Sequence, residues 1–417
     1  MPLPPSHATA PTTPPAHRAG TSAYRQATLA LFAAAMATFM TLYYVQGLLP
    51  ALAAEFSVSP TVSALAISAT TVCIATAIVP VSALSERFGR VRVMVWSTVS
   101  ATVVGLALPW SPTFELLLGG RALQGVLCAG VPAAAMAYLA EEIEGHSLGK
   151  AMGLYVAGSS IGGVVGRLLP ALSVDFVRWE LAFQSVTVLA LLSALVFAWK
   201  VPPSARFTTR RISLGSTVRE LRAHFRDPVL VSLFGVGFVV MGTFVTVYNY
   251  LTFRLLDPPF SLPPMVVALV FTMYLTGAAS ATLAGRSSDR IGRALVLLTS
   301  VSLMAGGLVI SLVDSLAVLL VGVALCTVGF FAAHSVASAW VGARAVRNRA
   351  GASSLYLLAY YLGSSVVSVF GGAAFTTGGW DGMSLYLGGL LAAAMVASAV
   401  LGLRPAPRPL APGRSDD

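Results

Sequence analysis

The sequence predicts an all-α membrane protein in which twelve transmembrane helices form two pseudo-symmetric six-helix bundles. The chain of 417 residues is 56% hydrophobic and only 10% charged, whereas soluble domains carry about 25% charged residues. Twelve apolar stretches are each long enough to cross a bilayer as a helix, which takes about 20 residues. A short charged turn also occurs twice at equivalent places, as expected of a duplicated bundle.

The apolar stretches give the order of the helices. Backbone groups inside a bilayer must find hydrogen-bond partners within the protein, so these stretches are predicted to be helices and not open strands. We number them spans 1 to 12. They lie near residues 27–52, 60–82, 91–110, 114–140, 149–172, 179–200, 229–254, 264–285, 294–313, 315–341, 351–375 and 382–403.

The charged turn lies between spans 2 and 3 and again between spans 8 and 9. The first copy ends in Glu86-Arg87-Phe88-Gly89-Arg90, and the second ends in Asp289-Arg290-Ile291-Gly292-Arg293. Each position of the second copy follows its counterpart by the same distance (289 − 86 = 203). A repeat at this period predicts two tandem halves around a shared central site.

The basic residues predict the orientation of the chain. Lysine and arginine concentrate in the connections that follow even-numbered spans, while the opposite connections hold little beyond Arg178 and Arg254. By the positive-inside rule, both termini and the charged turns are expected in the cytoplasm. The net charge of +10 is therefore a feature of topology and does not indicate nucleic-acid binding.

Composition also predicts the domain boundaries. Residues 1–24 are rich in Pro, Thr and Ala and are expected to form a disordered tail, as are residues 404–417. The first bundle is expected over 25–200 and the second over 229–403. A basic cytoplasmic linker over 201–228 joins them, and an amphipathic surface helix is one interpretation of it.

Two further sequence features lie in spans 4 and 5. Span 4 contains Gly119-Gly120-Arg121-Ala122-Leu123-Gln124-Gly125, and span 5 contains the helix-packing series Gly158, Gly162 and Gly166. With the charged turns, they resemble the major facilitator superfamily over nearly the whole chain, and the span 5 glycines resemble those of its proton antiporters. Two runs are similar to its bacterial YnfM-type inner-membrane transport proteins, which implies a location in a bacterial inner membrane. They are Gly162-Gly163-Val164-Val165-Gly166-Arg167 and Gly329-Phe330-Phe331-Ala332-Ala333-His334. The span 5 series departs from the antiporter pattern, because Gly163 stands where the pattern carries proline.

The resemblance implies a gating role for the charged turns. In this interpretation Glu86 faces the start of span 11 near Gly351, Asp289 faces the start of span 5 near Gly149, and the arginines bridge to neighbouring helices. The alternative is a turn that only retains these loops in the cytoplasm. The gating residues are Glu86, Arg87, Gly89, Arg90, Asp289, Arg290, Gly292 and Arg293.

No carboxylate falls deep within a span, so other groups are the candidates for proton coupling. They are His334 in span 10, Arg121 in span 4 and Arg167 in span 5. Each has a structural alternative. Arg121 could bind backbone carbonyls, Arg167 could extend to the membrane interface, and His334 could be neutral with a neighbouring hydrogen-bond partner.

Amide and tyrosine side chains are the candidates for binding the cargo. An aromatic ring with one polar atom suits a mainly apolar pocket, and an amide that faced lipid would be costly. Simple packing is the alternative for each tyrosine. The lack of buried acids favours a neutral or anionic amphipathic compound or drug. The candidates are Tyr43, Gln46, Gln124, Tyr248, Asn249, Tyr250 and Tyr360.

Together these features favour a secondary active transporter that exports a small organic solute in exchange for protons. Proton-coupled uptake of a metabolite and a membrane sensor without transport remain the alternatives. An enzyme is disfavoured because the sequence has no Cys/His cluster, phosphate-binding loop or paired buried carboxylates. The expected partners are the solute, protons and lipid, with no nucleic acid, metal or cofactor, and a monomer is expected.

Overall fold

The computed structural model describes residues 16–207, 214–345 and 348–403, without the side chains of 214–218, 278 and 350. These residues are helical almost throughout, and their one β-bridge joins His17 to Ile143. Ten helices correspond to spans 1 to 10. They are Ser22–Glu55, Pro60–Phe88, Arg90–Trp110, Phe114–Glu142, Gly145–Ser173, Trp179–Lys200, Pro228–Leu256, Pro264–Ile291, Arg293–Ile310 and Leu316–Arg344.

Spans 11 and 12 lie in one element, Arg349–Leu403, which is broken at Gly379. Gly379 has φ 58° and ψ −151°. Glycine adopts this backbone conformation readily, whereas residues with a Cβ atom are strained in it. The predicted connection between residues 375 and 382 is thus a single sharp break within helical chain. With this correction the twelve-span, all-α fold class is confirmed.

The chain divides into two compact units. Unit 1 contains the described residues up to Thr217, with Leu255–Asp257 and Ser261–Thr272. Unit 2 contains Val218–Arg254, Pro258–Phe260 and the described residues from Met273 onward. The first boundary between the units along the chain, after Thr217, falls inside the expected linker 201–228. A helix forms in this linker over Leu214–His224.

Small residues let spans 1 and 5 approach closely in unit 1. A Cβ atom built on Gly158 or Gly162 would lie 2.5 Å from the carbonyl oxygen of Phe32 or Met36, respectively. One on Gly166 would lie 2.9 Å from the Cα atom of Met40. These separations are below van der Waals contact, so only glycine permits this backbone approach.

Unit 2 repeats this arrangement between spans 7 and 11. A Cβ atom on Gly363 would lie 2.0 Å from the carbonyl oxygen of Phe238. One on Gly371 would meet the Thr246 methyl at 2.5 Å. The local packing of the first bundle thus recurs in the second, as expected of a duplication.

The charged turns match in their backbone geometry as well as in sequence. Gly89 has φ 98° and ψ 140°, and Gly292 has φ 92° and ψ 145°. Each glycine donates its N–H to the serine carbonyl four residues earlier, at 3.0 Å to Ser85 and 3.2 Å to Ser288. Both glycines have positive φ, which residues with a Cβ atom rarely adopt. The backbone of these two turns therefore requires glycine at positions 89 and 292.

The N-terminal tail expected to be disordered over 1–24 requires a correction at its end. His17 donates its backbone N–H to the Glu142 carbonyl at 2.8 Å and accepts from the Glu144 N–H at 3.1 Å. Thr21 then caps span 1, which begins at Ser22. The hydrogen bonds of His17 join the chain just before span 1 to the connection between spans 4 and 5. Residues 1–15 and 404–417 lie outside the described chain.

Candidate functional site

Arg121 occupies the centre of a polar network in unit 1 and is fully buried. Its guanidinium donates to the backbone carbonyls of Ala66 at 3.1 Å, Thr41 at 2.9 Å and Leu42 at 2.8 Å. Span 1 changes from α-helix to 3-10 helix at Tyr44, just after two of these carbonyls. Arg121 therefore supplies hydrogen-bond donors at a break in span 1, where backbone groups in a bilayer need partners.

Gln124 links Arg121 to the ring of Tyr44. Its Oε1 accepts from Arg121 Nη1 and from the Tyr44 hydroxyl, both at 2.7 Å, and its Nε2 donates to the Ala101 carbonyl at 2.9 Å. The Arg121 guanidinium also lies 4.9 Å from the centroid of the Tyr44 ring. Gln124 was a candidate for cargo binding, and in this structure both ends of its amide are occupied within unit 1.

Arg167 lies in a second network, where span 5 meets span 1. Its Nε donates to Gln46 Oε1 at 2.5 Å and its Nη1 to the Gly163 carbonyl at 2.7 Å. The guanidinium lies 3.7 Å from the centroid of the Tyr43 ring. Arg167 is 3% exposed, so it is buried within the bundle and does not extend to the interface. Three sequence-predicted residues, Tyr43, Gln46 and Arg167, are thereby brought together.

His334 lies in unit 2, on span 10. Its Nδ1 lies 3.0 Å from the Tyr356 hydroxyl, so a hydrogen bond joins spans 10 and 11. The imidazole stacks on the Phe330 ring with centroids 6.0 Å apart and lies 4.6 Å from the Tyr360 ring centroid. His334 is therefore held in an aromatic cluster with one polar neighbour. Tyr360 was predicted as a cargo residue, whereas Tyr356 was missed as the partner of His334.

The span 7 candidates make polar contacts with spans 10 and 11. The Tyr248 hydroxyl lies 2.8 Å from Thr327 Oγ1, and Asn249 Nδ2 donates to Ser368 Oγ at 2.9 Å. The Tyr250 ring packs on Phe375 with centroids 4.9 Å apart. These three side chains are buried, so span 7 presents polar groups to its own bundle.

Arg90 connects the first charged turn to the end of span 4. Its Nη2 donates to Glu141 Oε1 at 2.8 Å, and its Nη1 donates to Ser85 Oγ at 2.9 Å. Glu86 is a longer partner at 3.8 Å. The sequence marked Arg90 and Glu86 but missed Glu141, although acids at the same end of the bundle were a signal for it.

The second charged turn has different surroundings. Asp289, Arg290 and Arg293 are exposed. Span 10 ends in Arg344 at the position where span 4 carries Glu141 (344 − 141 = 203), so the acid that binds Arg90 has no equivalent in unit 2. Within the part of the chain that the structure describes, the duplicated turns therefore share their backbone conformation but not their ion pairs.

Arg344 instead binds Asp227, at the start of span 7. Its Nε donates to Asp227 Oδ2 at 2.8 Å. Burial by itself would raise the pKa of the Asp227 carboxyl, but hydrogen bonds from Arg344 and from the Val229 and Leu230 N–H groups outweigh it. The pKa of Asp227 is therefore lowered from its ordinary value.

The fold and these networks can be compared with known proteins. The family model described as Major Facilitator Superfamily matches residues 31–273 and 255–417. The chain belongs to the major facilitator superfamily. It is 42% identical over 366 residues to YybF, an uncharacterized MFS-type transporter of Bacillus subtilis (strain 168), covering 88% of this chain and 91% of that protein.

A second relative is the inner membrane transport protein YnfM of Escherichia coli (strain K12). It is 40% identical over 378 residues and covers 90% of each chain. The crystal structure of a D-xylose-proton symporter has the same fold, with a TM-score of 0.74, 16% identity and coverage of 90% of this chain and 97% of that one. This member of the superfamily is thus a multi-pass membrane transporter and not an enzyme, and its resemblance to the YnfM-type branch is confirmed.

Proposed function

We propose that this superfamily member is a secondary active transporter that exports a small neutral or anionic amphipathic compound in exchange for protons, by alternating access. Fully buried Arg121 carries the proposal. Among the described residues no carboxylate lies within ion-pair distance of Arg121, whose acceptors are three backbone carbonyls and one amide. A positive charge balanced only by dipoles leaves a positive potential, which favours neutral or anionic cargo over cations.

His334 is the proposed proton carrier. Imidazole titrates closer to neutral pH than other side chains, and the Tyr356 hydroxyl at 3.0 Å can accept from or donate to Nδ1. A proton taken up by His334 would change that hydrogen bond and place a charge within an aromatic cluster. Spans 10 and 11 would respond together, because Tyr356 lies on span 11. Arginine keeps its proton, so Arg121 and Arg167 are not proposed to carry protons themselves. Their role in coupling is to contribute to the electrostatic potential within the transporter.

The charged turns are proposed to control whether the transporter opens to the cytoplasm. Both termini would lie on the same side of the membrane. Arg90 binds Glu141 at 2.8 Å and Glu86 only at 3.8 Å, and the Glu86 side chain is 25% exposed. Glu86 therefore has capacity for a further hydrogen-bond donor, and we propose that the start of span 11 provides it in one state of the cycle. A helix N-terminus attracts a carboxylate by about 0.3–1 kcal/mol, which suits a contact that must break in each cycle.

Proteoliposomes with an imposed pH gradient test the proposal. Labelled neutral, anionic and cationic amphipathic compounds are offered to vesicles with an acidic lumen, with an acidic exterior or with no gradient. Antiport predicts accumulation only with the acidic lumen, for neutral or anionic compounds. Accumulation only with the acidic exterior would instead establish uptake by symport, and a lack of flux for every compound would favour the non-transporting sensor.

A further inference from the structure

A groove of about 600 Å³ lies between spans 1 and 6 within unit 1. Its volume is in the range of small-molecule sites, which is about 300–1,000 Å³. None of the residues placed in the transport networks above lines it. The groove is therefore a feature separate from the proposed transport site.

The groove is amphipathic along its length. Arg25, at the start of span 1, and Lys200, at the end of span 6, both line it at the same end of the bundle. Leu29, Phe32 and Met36 continue its wall along span 1. At 1.5 Å per residue, Arg25 and Met36 are about 16 Å apart along the helix axis. The groove thus joins a cationic end to an apolar channel that follows a helix into the bundle.

The cationic end has features of the bilayer interface. Trp199 is 79% exposed, and the Lys200 ammonium lies 3.9 Å from the centroid of its ring. Exposed tryptophan and lysine at a helix end are typical of the headgroup level of a membrane. The described residues that line the groove include two cations and no carboxylate. The charged side chains that line the groove would therefore attract an anionic headgroup.

We infer that the groove binds an anionic phospholipid. The phosphodiester lies between Arg25 and Lys200, and one acyl chain follows Leu29, Phe32 and Met36. Arginine and lysine both donate charge-assisted hydrogen bonds to phosphate oxygens. A choline lipid carries the same phosphate but adds a quaternary ammonium, which these two cations repel. The groove therefore selects for the net charge of the lipid as well as for its chain.

Native mass spectrometry of the purified full-length protein tests this inference. The protein is titrated with dioleoyl-phosphatidylglycerol or with dioleoyl-phosphatidylcholine, which has the same acyl chains. The double variant Arg25→Gln/Lys200→Gln is expected to weaken phosphatidylglycerol binding about tenfold or more. The control Arg92→Gln/Lys150→Gln removes two exposed cations elsewhere in unit 1 and is expected to keep the parental affinity.

A second variant tests the apolar channel. Ser193→Trp, or the smaller Ser193→Leu, fills the groove from span 6 and leaves both cations in place. Either is expected to reduce phosphatidylglycerol binding about tenfold, while the melting temperature verifies that each variant is folded. Equal binding of the two lipids, an equal loss in the Arg92/Lys150 control, or full binding by folded Ser193 variants would each overturn the inference.

Discussion

The Arg90 guanidinium is bound to the Glu141 carboxylate, with Nη2 and Oε1 2.8 Å apart. This ion pair joins the turn after span 2 to the end of span 4. The same arginine reaches Glu86 at 3.8 Å, so Glu86 is the weaker of its two acidic partners. The finding separates two roles for these acids, with Glu141 as a structural contact and Glu86 as the proposed gating group.

Glu86→Ala is therefore predicted to leave the protein folded and to lower transport at least tenfold. The variant keeps the Arg90–Glu141 pair but removes the acid proposed to bind the start of span 11. Initial rates in proteoliposomes and the melting temperature measure the two effects. Glu144→Ala is the control, because Glu144 pairs with exposed Arg18 and is expected to retain transport. A folded Glu86→Ala protein with the parental rate would refute the gating role.

His334→Gln is predicted to abolish gradient-driven accumulation while cargo exchange without a gradient continues. Glutamine retains hydrogen-bonding capacity toward Tyr356 but cannot carry a proton near neutral pH. Gradient-driven uptake and counterflow, measured on the same vesicles, separate coupling from binding. His146→Gln, at an exposed position near the start of span 5, is the control. Intact gradient-driven uptake by His334→Gln would exclude His334 as the carrier.

Gly162→Ala is predicted to destabilise unit 1 by about 1–3 kcal/mol, which is the usual cost of overpacking. The added Cβ would lie 2.5 Å from the Met36 carbonyl oxygen and force spans 1 and 5 apart. Gly153→Ala is the matched control on the same helix, because nothing lies within 4 Å of its Cβ position. That control is expected to gain roughly 0.5–1 kcal/mol from helix propensity. Equal melting temperatures for the two variants would contradict the close approach.

Arg344→Gln is predicted to lower stability at neutral pH by about 1 kcal/mol or less, because the pair is partly exposed. The folded-state pKa of Asp227 lies below its unfolded value, so the pair stabilises the protein above the unfolded pKa, about 3.9. That stabilisation is lost as the pH falls through the lower, folded pKa. Melting temperatures of the parent and the variant should differ at pH 7 and converge in strong acid. A constant difference in melting temperature at every pH would show that the stabilising effect of Arg344 does not depend on the Asp227 carboxylate.

Helical spans and tight turns were predictable because each depends on residues that are adjacent in the sequence. Apolar length indicates a span, and a glycine flanked by charges indicates a turn, so the spans and Gly89 were found without a structure. The break at Gly379 was missed as a single residue because apolar helix continues on both sides of it. The contact of His17 with the connection after span 4 was missed because its partners, Glu142 and Glu144, lie more than a hundred residues away in sequence.

By itself the sequence determined the twelve spans, the duplication and the positions of the buried cations, since each depends on composition or period along the chain. Only the tertiary structure decided which groups surround those cations. Arg121 meets carbonyls at a break in span 1, and Arg90 meets Glu141, whereas Arg344 stands at the position in unit 2 that is equivalent to Glu141. Such partners depend on how helices distant in sequence pack against one another. The composition and the repeat distance along the chain do not determine that packing.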